Sequence, residues 1–153
     1  MAIRPIVIHP DPLLAQVSQP VEAFDAALGS LIEDMFDTMY AAPGRGLAAV
    51  QVGVLKRLFI MDATWKDGDK SPRIFINPVI TDHSAHLATN LESCLSIPDR
   101  ERKVARPAEV SMRWQDGTGA ACEGHFQAFE AVCVQHEFDH LDGKLILDHP
   151  EAP

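Results

Sequence analysis

Between Leu28 and Tyr40 the apolar residues Leu28, Leu31, Ile32, Met35, Phe36, Met39 and Tyr40 recur at steps of three and four. At about 3.6 residues per turn these positions fall on one side, so the pattern predicts a helix of about four turns with one buried stripe. The stretch "AAPGRG" (41–46) ends it. Pro43 has no N–H to continue the ladder, and Gly44 and Gly46 admit backbone angles closed to other residues, so a tight loop follows. The period then changes. "RLFIMD", "RIFINPVI" and "AEVSMRW" are short apolar runs, Val110, Met112 and Trp114 alternate with polar neighbours, and "DGTG" (116–119) is a turn signal. These segments predict an antiparallel sheet. From about Phe126 the helical period returns: Phe129, Val132, Cys133, His136, Glu137, His140 and Leu141 share one side, and Asp142-Gly143 supplies a stop. "WKDGDKSP" (65–72) reads as a surface loop. The expected fold class is α+β, one domain over residues 1–153, with antiparallel β-sheets packed around a central helix that carries "HEFDH".

Size and charge narrow the choice of partner. A chain of 153 residues, 46% hydrophobic, is long enough for one core. A formal net charge of -9 opposes binding to phosphate backbones or anionic lipid. The densest cationic run, Arg100, Arg102, Lys103 and Arg106, is interrupted by Asp99 and Glu101 and reads as a solvated strand or loop face. No nucleic-acid binding is expected. There is neither a basic head with a long apolar run behind it nor a stretch of about 18 apolar residues, so a cytoplasmic location is expected, with no signal peptide or membrane span. Three cysteines, Cys94, Cys122 and Cys133, make no disulfide framework and leave burial, metal ligation or reactivity as roles.

The chemistry concentrates in "VQHEFDHLDG" (134–143). Residues four apart on a helix stand about 6 Å apart along its axis and nearly above one another, so His136 and His140 can converge on one ion. Glu137 would stand beside a water at that ion as a base. The pattern alone does not name the reaction, but it does say what is missing. The extended peptidase pattern requires a third histidine where this chain has Ile146, and the thirteen residues after His140 are too few for a further helix that folds back. A third donor must come from upstream. Cys133 lies seven residues, or about 10 Å of rise, before His140, and reads as a small buried hydrophobe. Cys122, in "GAACEGHF", sits within an expected strand. Cys94, in "NLESCLSIPDR", stands where the chain should leave regular structure, and is the candidate third ligand. Asp139 is expected to support the site from behind the ligands or to be a surface charge.

Three separated segments, "GRGLAAVQVG" (44–53), "ESCLS" (92–96) and "QHEFDH" (135–140), together resemble the three signature motifs of peptide deformylases, in the same order. The similarity extends to "HPDPLL" (9–14) and "DMFDTMYAAPG" (34–44). The resemblance implies that Cys94, His136 and His140 hold one divalent metal with water in the fourth place. Fe2+ would serve in the cell, with Zn2+, Ni2+ or Co2+ possible in purified protein. It further implies that Glu137 shuttles the proton, that the Gln51 amide and the Leu95 backbone N–H donate to the oxyanion, and that N-formylmethionyl peptides or nascent chains are cut to formate and a free amino terminus. Gly44, Arg45, Gly46 and Ser93 would lie along the substrate path. Phe129, Val132 and Cys133 could line a methionine pocket or be plain core. Read from its own surroundings, Gln51 is equally a loop-capping amide.

The chain departs from the family pattern at three places: Ser93 replaces the glycine before the cysteine, Arg45 an often apolar residue, and Val50 a frequent proline. A side chain at position 93 can crowd a passing peptide. The alternative expectation is therefore a deformylase-like metal-binding protein with reduced or altered activity, acting on another N-acyl group or serving as a binding module. The sequence ends at "DHPEAP" without a basic helix, so ribosome docking by that route is not expected.

Overall fold

The computed structural model describes residues 2–153. Helix α1 (Ala26–Ala41) is followed by β1 (Gly46–Ala48), β2 (Leu58–Met61), β3 (Arg73–His83), β4 (Leu87–Cys94), β5 (Ile97–Pro107), β6 (Glu109–Gln115), β7 (Ala121–Gln127) and α2 (Ala128–Leu141). The strands form two antiparallel groups: a five-stranded sheet in the order β1-β2-β3-β6-β7, and a separate hairpin, β4-β5.

Strand β2 shows why the core sits where it does. "LFIM" is buried at all four positions, and successive side chains point to opposite faces. Leu58 and Ile60 pack with Leu28, Leu31, Met35 and Met39 of α1, while Phe59 and Met61 pack with Phe75, Trp114 and Phe126 against Val134 and Leu141 of α2. A strand covered by a helix on each face is apolar throughout, whereas β6, at "EVSMRW", keeps the alternation of a half-covered strand. The α+β architecture around a central "HEFDH" helix is as expected.

Local signals set the ends of both helices. The Asp25 side chain accepts from the Leu28 N–H at 3.0 Å and caps α1. Helix α2 begins directly from β7, with Ala128 at φ 53 making the corner. Phe126, the expected start of the helical period, is instead an inward-facing strand residue, because strand and helix periods overlap at this junction. Gly143 ends α2 at φ +73, where an added Cβ would collide with the Ala15 carbonyl.

One other expectation changes. The cationic run lies on β5, and Arg106 is not solvated: it is 5% exposed and turned inward with Val104. The segment 65–72 is the expected surface loop, exposed along most of its length and anchored where Trp65 Nε1 donates to the Gly44 carbonyl at 2.8 Å and the Ser71 N–H donates to the Asp62 carboxylate at 3.1 Å.

Candidate active site

Cys94 ends β4 at a shift in register, just before the two-residue turn Leu95-Ser96 that leads into β5. The hairpin lays this end against α2. One ligand atom each from Cys94, His136 and His140 then lies within 4.8 Å of the others. Cys94 Sγ is 3.5 Å from His140 Nε2, and the two imidazole centres are 5.1 Å apart. All three residues are buried. The other thiols stay outside: Cys133 Sγ faces the Arg45 carbonyl at 3.8 Å, and Cys122 Sγ the Ala120 carbonyl at 3.6 Å. Burial, with Glu137 nearby, pushes the Cys133 thiol well above its ordinary pKa, as suits an inert packing residue.

Behind the three donors runs a chain of buried charges. His136 Nδ1 is 3.0 Å from Glu92 Oε1. The Arg106 guanidinium donates to both Glu92 oxygens at 2.7 and 2.9 Å, and to Asp139 at 2.9 Å. Asp139 in turn lies 2.8 Å from His149 Nε2. Burial opposes charge on Glu92, but the donors on His136 and Arg106 outweigh it and hold the carboxyl below its usual range. An ionised Glu92 accepts the Nδ1 proton of His136 and leaves Nε2 free to ligate. Asp139 therefore supports the site by orienting Arg106.

The centre itself favours positive charge. His136 is raised above its ordinary pKa: burial works against this, but Cys94, Glu137 and Glu92 prevail. His140 is pushed down by burial and by His136, so its imidazole is neutral, as ligation requires. Glu137 is pushed up to about 7, chiefly by burial. Its Oε1 is buried without a hydrogen-bond partner among the described residues, and Oε2 is 4.0 Å from His136 Nε2. A thiol, two imidazoles and an unpaired carboxylate oxygen in one anion-rich recess fit a soft-to-borderline divalent ion with a water beside it.

The loop-capping reading of Gln51 holds for its Oε1, and its Nε2 is turned toward Ser96 and Cys94. Its Oε1 accepts from the Ala48 N–H at 2.9 Å and closes the short turn 49–52, while Nε2 donates to Ser96 Oγ at 3.0 Å and faces Cys94 Sγ at 3.7 Å. The N-terminal segment joins the two loops, with the Val7 N–H donating to the Gln51 carbonyl at 2.7 Å and the His9 N–H to the Ser96 carbonyl at 2.8 Å. Gly46 leaves the room that Glu137 occupies: a Cβ there would stand 2.7 Å from Glu137 Oε2 and 3.0 Å from Cys133 Sγ.

A cavity of about 680 Å³ opens over this centre. Cys94, His136, Glu137, Gln51 and Leu95 line it, as do the expected substrate-path residues Gly44, Arg45, Gly46 and Ser93 and the pocket candidates Phe129, Val132 and Cys133. His140 lies beneath, 1% exposed. The sequence reading missed Glu92, Ser96 and Arg106. Glu92 was within reach, because a strand residue two before Cys94 faces the same side. Arg106 carried no such signal, since it meets Glu92 only across the hairpin.

Residues 3–152 match the family described as "Polypeptide deformylase". A "Peptide deformylase" of Phenylobacterium zucineum is 49% identical over 149 residues, 97% of this chain and 88% of that protein. One of Novosphingobium aromaticivorans is 46% identical, with 97% and 89% covered. Among solved structures, the peptide deformylase of Thermotoga maritima superposes with a TM-score of 0.93 at 36% identity and full coverage of both chains. That of Legionella pneumophila gives 0.92 at 39% identity, covering 98% of this chain and 87% of its own.

Proposed function

The chain belongs to the peptide deformylase family, and from that premise we propose that residues 1–153 form one domain that hydrolyses the formamide of N-formylmethionyl peptides or nascent chains, releasing formate and a free amino terminus. The observation that carries the reading is the convergence of Cys94 with His136 and His140 beside a buried, unpaired oxygen of Glu137. It favours amide hydrolysis over a pure binding role, because a binding module has no use for a carboxylate kept without a partner.

The family is metal-dependent, and Cys94, His136 and His140 would hold the ion. A mixed thiolate and imidazole set accepts Fe2+, Zn2+, Ni2+ or Co2+, with Fe2+ proposed for the cell. When bound, the ion supplies Lewis acidity that makes water a nucleophile near neutral pH and polarises the formyl carbonyl. Glu137 takes the proton of the attacking water at Oε1 and returns it to the departing amine nitrogen as the C–N bond breaks. A carboxyl raised to about 7 suits both halves of that transfer. Gln51 Nε2 and the Leu95 N–H donate to the carbonyl oxygen as it gains charge. Phe129, Val132 and Cys133 receive the methionine side chain, while Gly44 to Gly46 and Ser93 flank the peptide backbone.

No helix among the described residues is long and apolar enough to cross a membrane, and we place the activity in the cytoplasm. Protein prepared anaerobically and loaded with iron or nickel should release formate from formyl-Met-Ala-Ser. Glu137→Gln should lower kcat by at least about a hundredfold. Absence of turnover with every metal and formyl peptide would remove the assignment.

A further inference from the structure

Arg45 places a charge on the cavity wall beside the apolar side chains of Phe129 and Val132. Its guanidinium carbon stands 5.2 Å from the centre of the Phe129 ring, and that ring is 44% exposed on the cavity wall beside Val132 and Cys133. The contact places the guanidinium over the ring and leaves its N–H edge available. That edge is underused. Its ion pair joins Nη2 to Asp67 at 3.3 Å, and the Asp67 side chain is 74% exposed, so the contact is long and screened by solvent. Arg45 Nε is shielded from water and meets no acceptor among the described residues. A shielded donor without an acceptor is unfavourable, and an acceptor arriving with a ligand relieves the penalty.

The backbone beneath is fixed. The Asp62 N–H donates to the Arg45 carbonyl at 2.9 Å, and Trp65 Nε1 donates to the Gly44 carbonyl at 2.8 Å. Residues 62–71 and the turn 43–46 therefore act as one unit, which brings Lys66 to the same cavity as Arg45. The cavity lining also includes Asp99, Arg100 and Glu101, whose signs are mixed.

We propose that Arg45 is a specificity-determining residue that selects formylmethionyl peptides bearing an acidic side chain at the first or second position after the methionine. The inference rests on the deformylase reading above. With the methionine side chain in the recess of Phe129, Val132 and Cys133, the following residues leave past Arg45. A carboxylate there takes two guanidinium N–H groups and displaces Asp67, whereas a lysine is repelled.

The test compares C-terminally amidated formyl-Met-Glu-Ser, formyl-Met-Ala-Glu and formyl-Met-Lys-Ser on the metal-loaded protein. Attraction in one case and repulsion in the other, each of partly exposed strength, should favour the acidic peptides about fivefold, mainly in KM. In Arg45→Gln the preference should fall to about one, and in Arg45→Lys it should partly persist. A fivefold preference that survives Arg45→Gln, or no preference in the unsubstituted protein, overturns the proposal. Binding of the same peptides to Glu137→Gln, with and without Arg45→Gln, followed by tryptophan fluorescence or calorimetry, reads the preference without turnover. Failure of the deformylase assignment would abolish formate release yet leave this binding difference measurable.

Discussion

Glu137 owes its position to what Gly46 lacks. A methyl group at residue 46 would press on Glu137 Oε2 and Cys133 Sγ, both held by a packed helix that cannot retreat. Gly46→Ala should therefore lower kcat at least about tenfold, because a displaced base loses its alignment with the proton it moves. Little change in kcat would show that the helix gives way. The partner of His136 makes a second prediction. Glu92→Gln keeps an acceptor near Nδ1 but removes the charge that orients it, and should weaken metal affinity about tenfold in a competition assay with a chelator. These residues differ in legibility. Gly46 and Glu137 stand in short motifs whose chemistry is local. Glu92 is an acid beside a cysteine until the strand's alternation shows that both turn inward.

Among the elements, the β4-β5 hairpin was least legible. Leu87 and Leu91 are each 60% exposed while Glu92 and Arg106 are buried, so the apolar pattern runs opposite to burial. No reading based on hydrophobic period can find such a pair of strands, because their inward positions are held by charge pairing as well as by oil. The pairing is strong enough to test. Arg106→Met leaves Glu92 buried without its main counter-ion, and should destabilise the fold by about 3 kcal/mol in urea unfolding. At the other junction, Ala128 turns the chain from β7 into α2 at a positive φ that a β-branched side chain tolerates poorly. Ala128→Val should cost about 1–3 kcal/mol, with loss of metal affinity if α2 shifts. By contrast β2 and the two helices announced themselves: four consecutive apolar residues mark a strand covered on both faces, and steps of three and four mark a helix covered on one.

For the whole molecule, the metal should act as a staple. The hairpin supplies one ligand and α2 the other two, so an ion that binds only the folded arrangement links the two parts. Raising the free ion to about a hundred times its dissociation constant should add roughly 2.7 kcal/mol of stability, and chelation should lower Tm accordingly. An unchanged Tm would mean that the hairpin is held entirely by its own packing against Leu14, Leu145 and Ile146. From the sequence alone came the fold class, the helical pair of histidines with their glutamate, and the exclusion of a downstream third histidine. All of these follow from the spacing of residues within local segments, and such spacing is set by backbone geometry before any tertiary contact forms. Cys94 is the third ligand the sequence already offers, but only the folded chain brings it to the histidines, sets Glu92 and Arg106 behind them, and lays Arg45 over Phe129. Those relations join segments tens of residues apart, and their distances are settled by strand pairing and core packing, which no local pattern encodes.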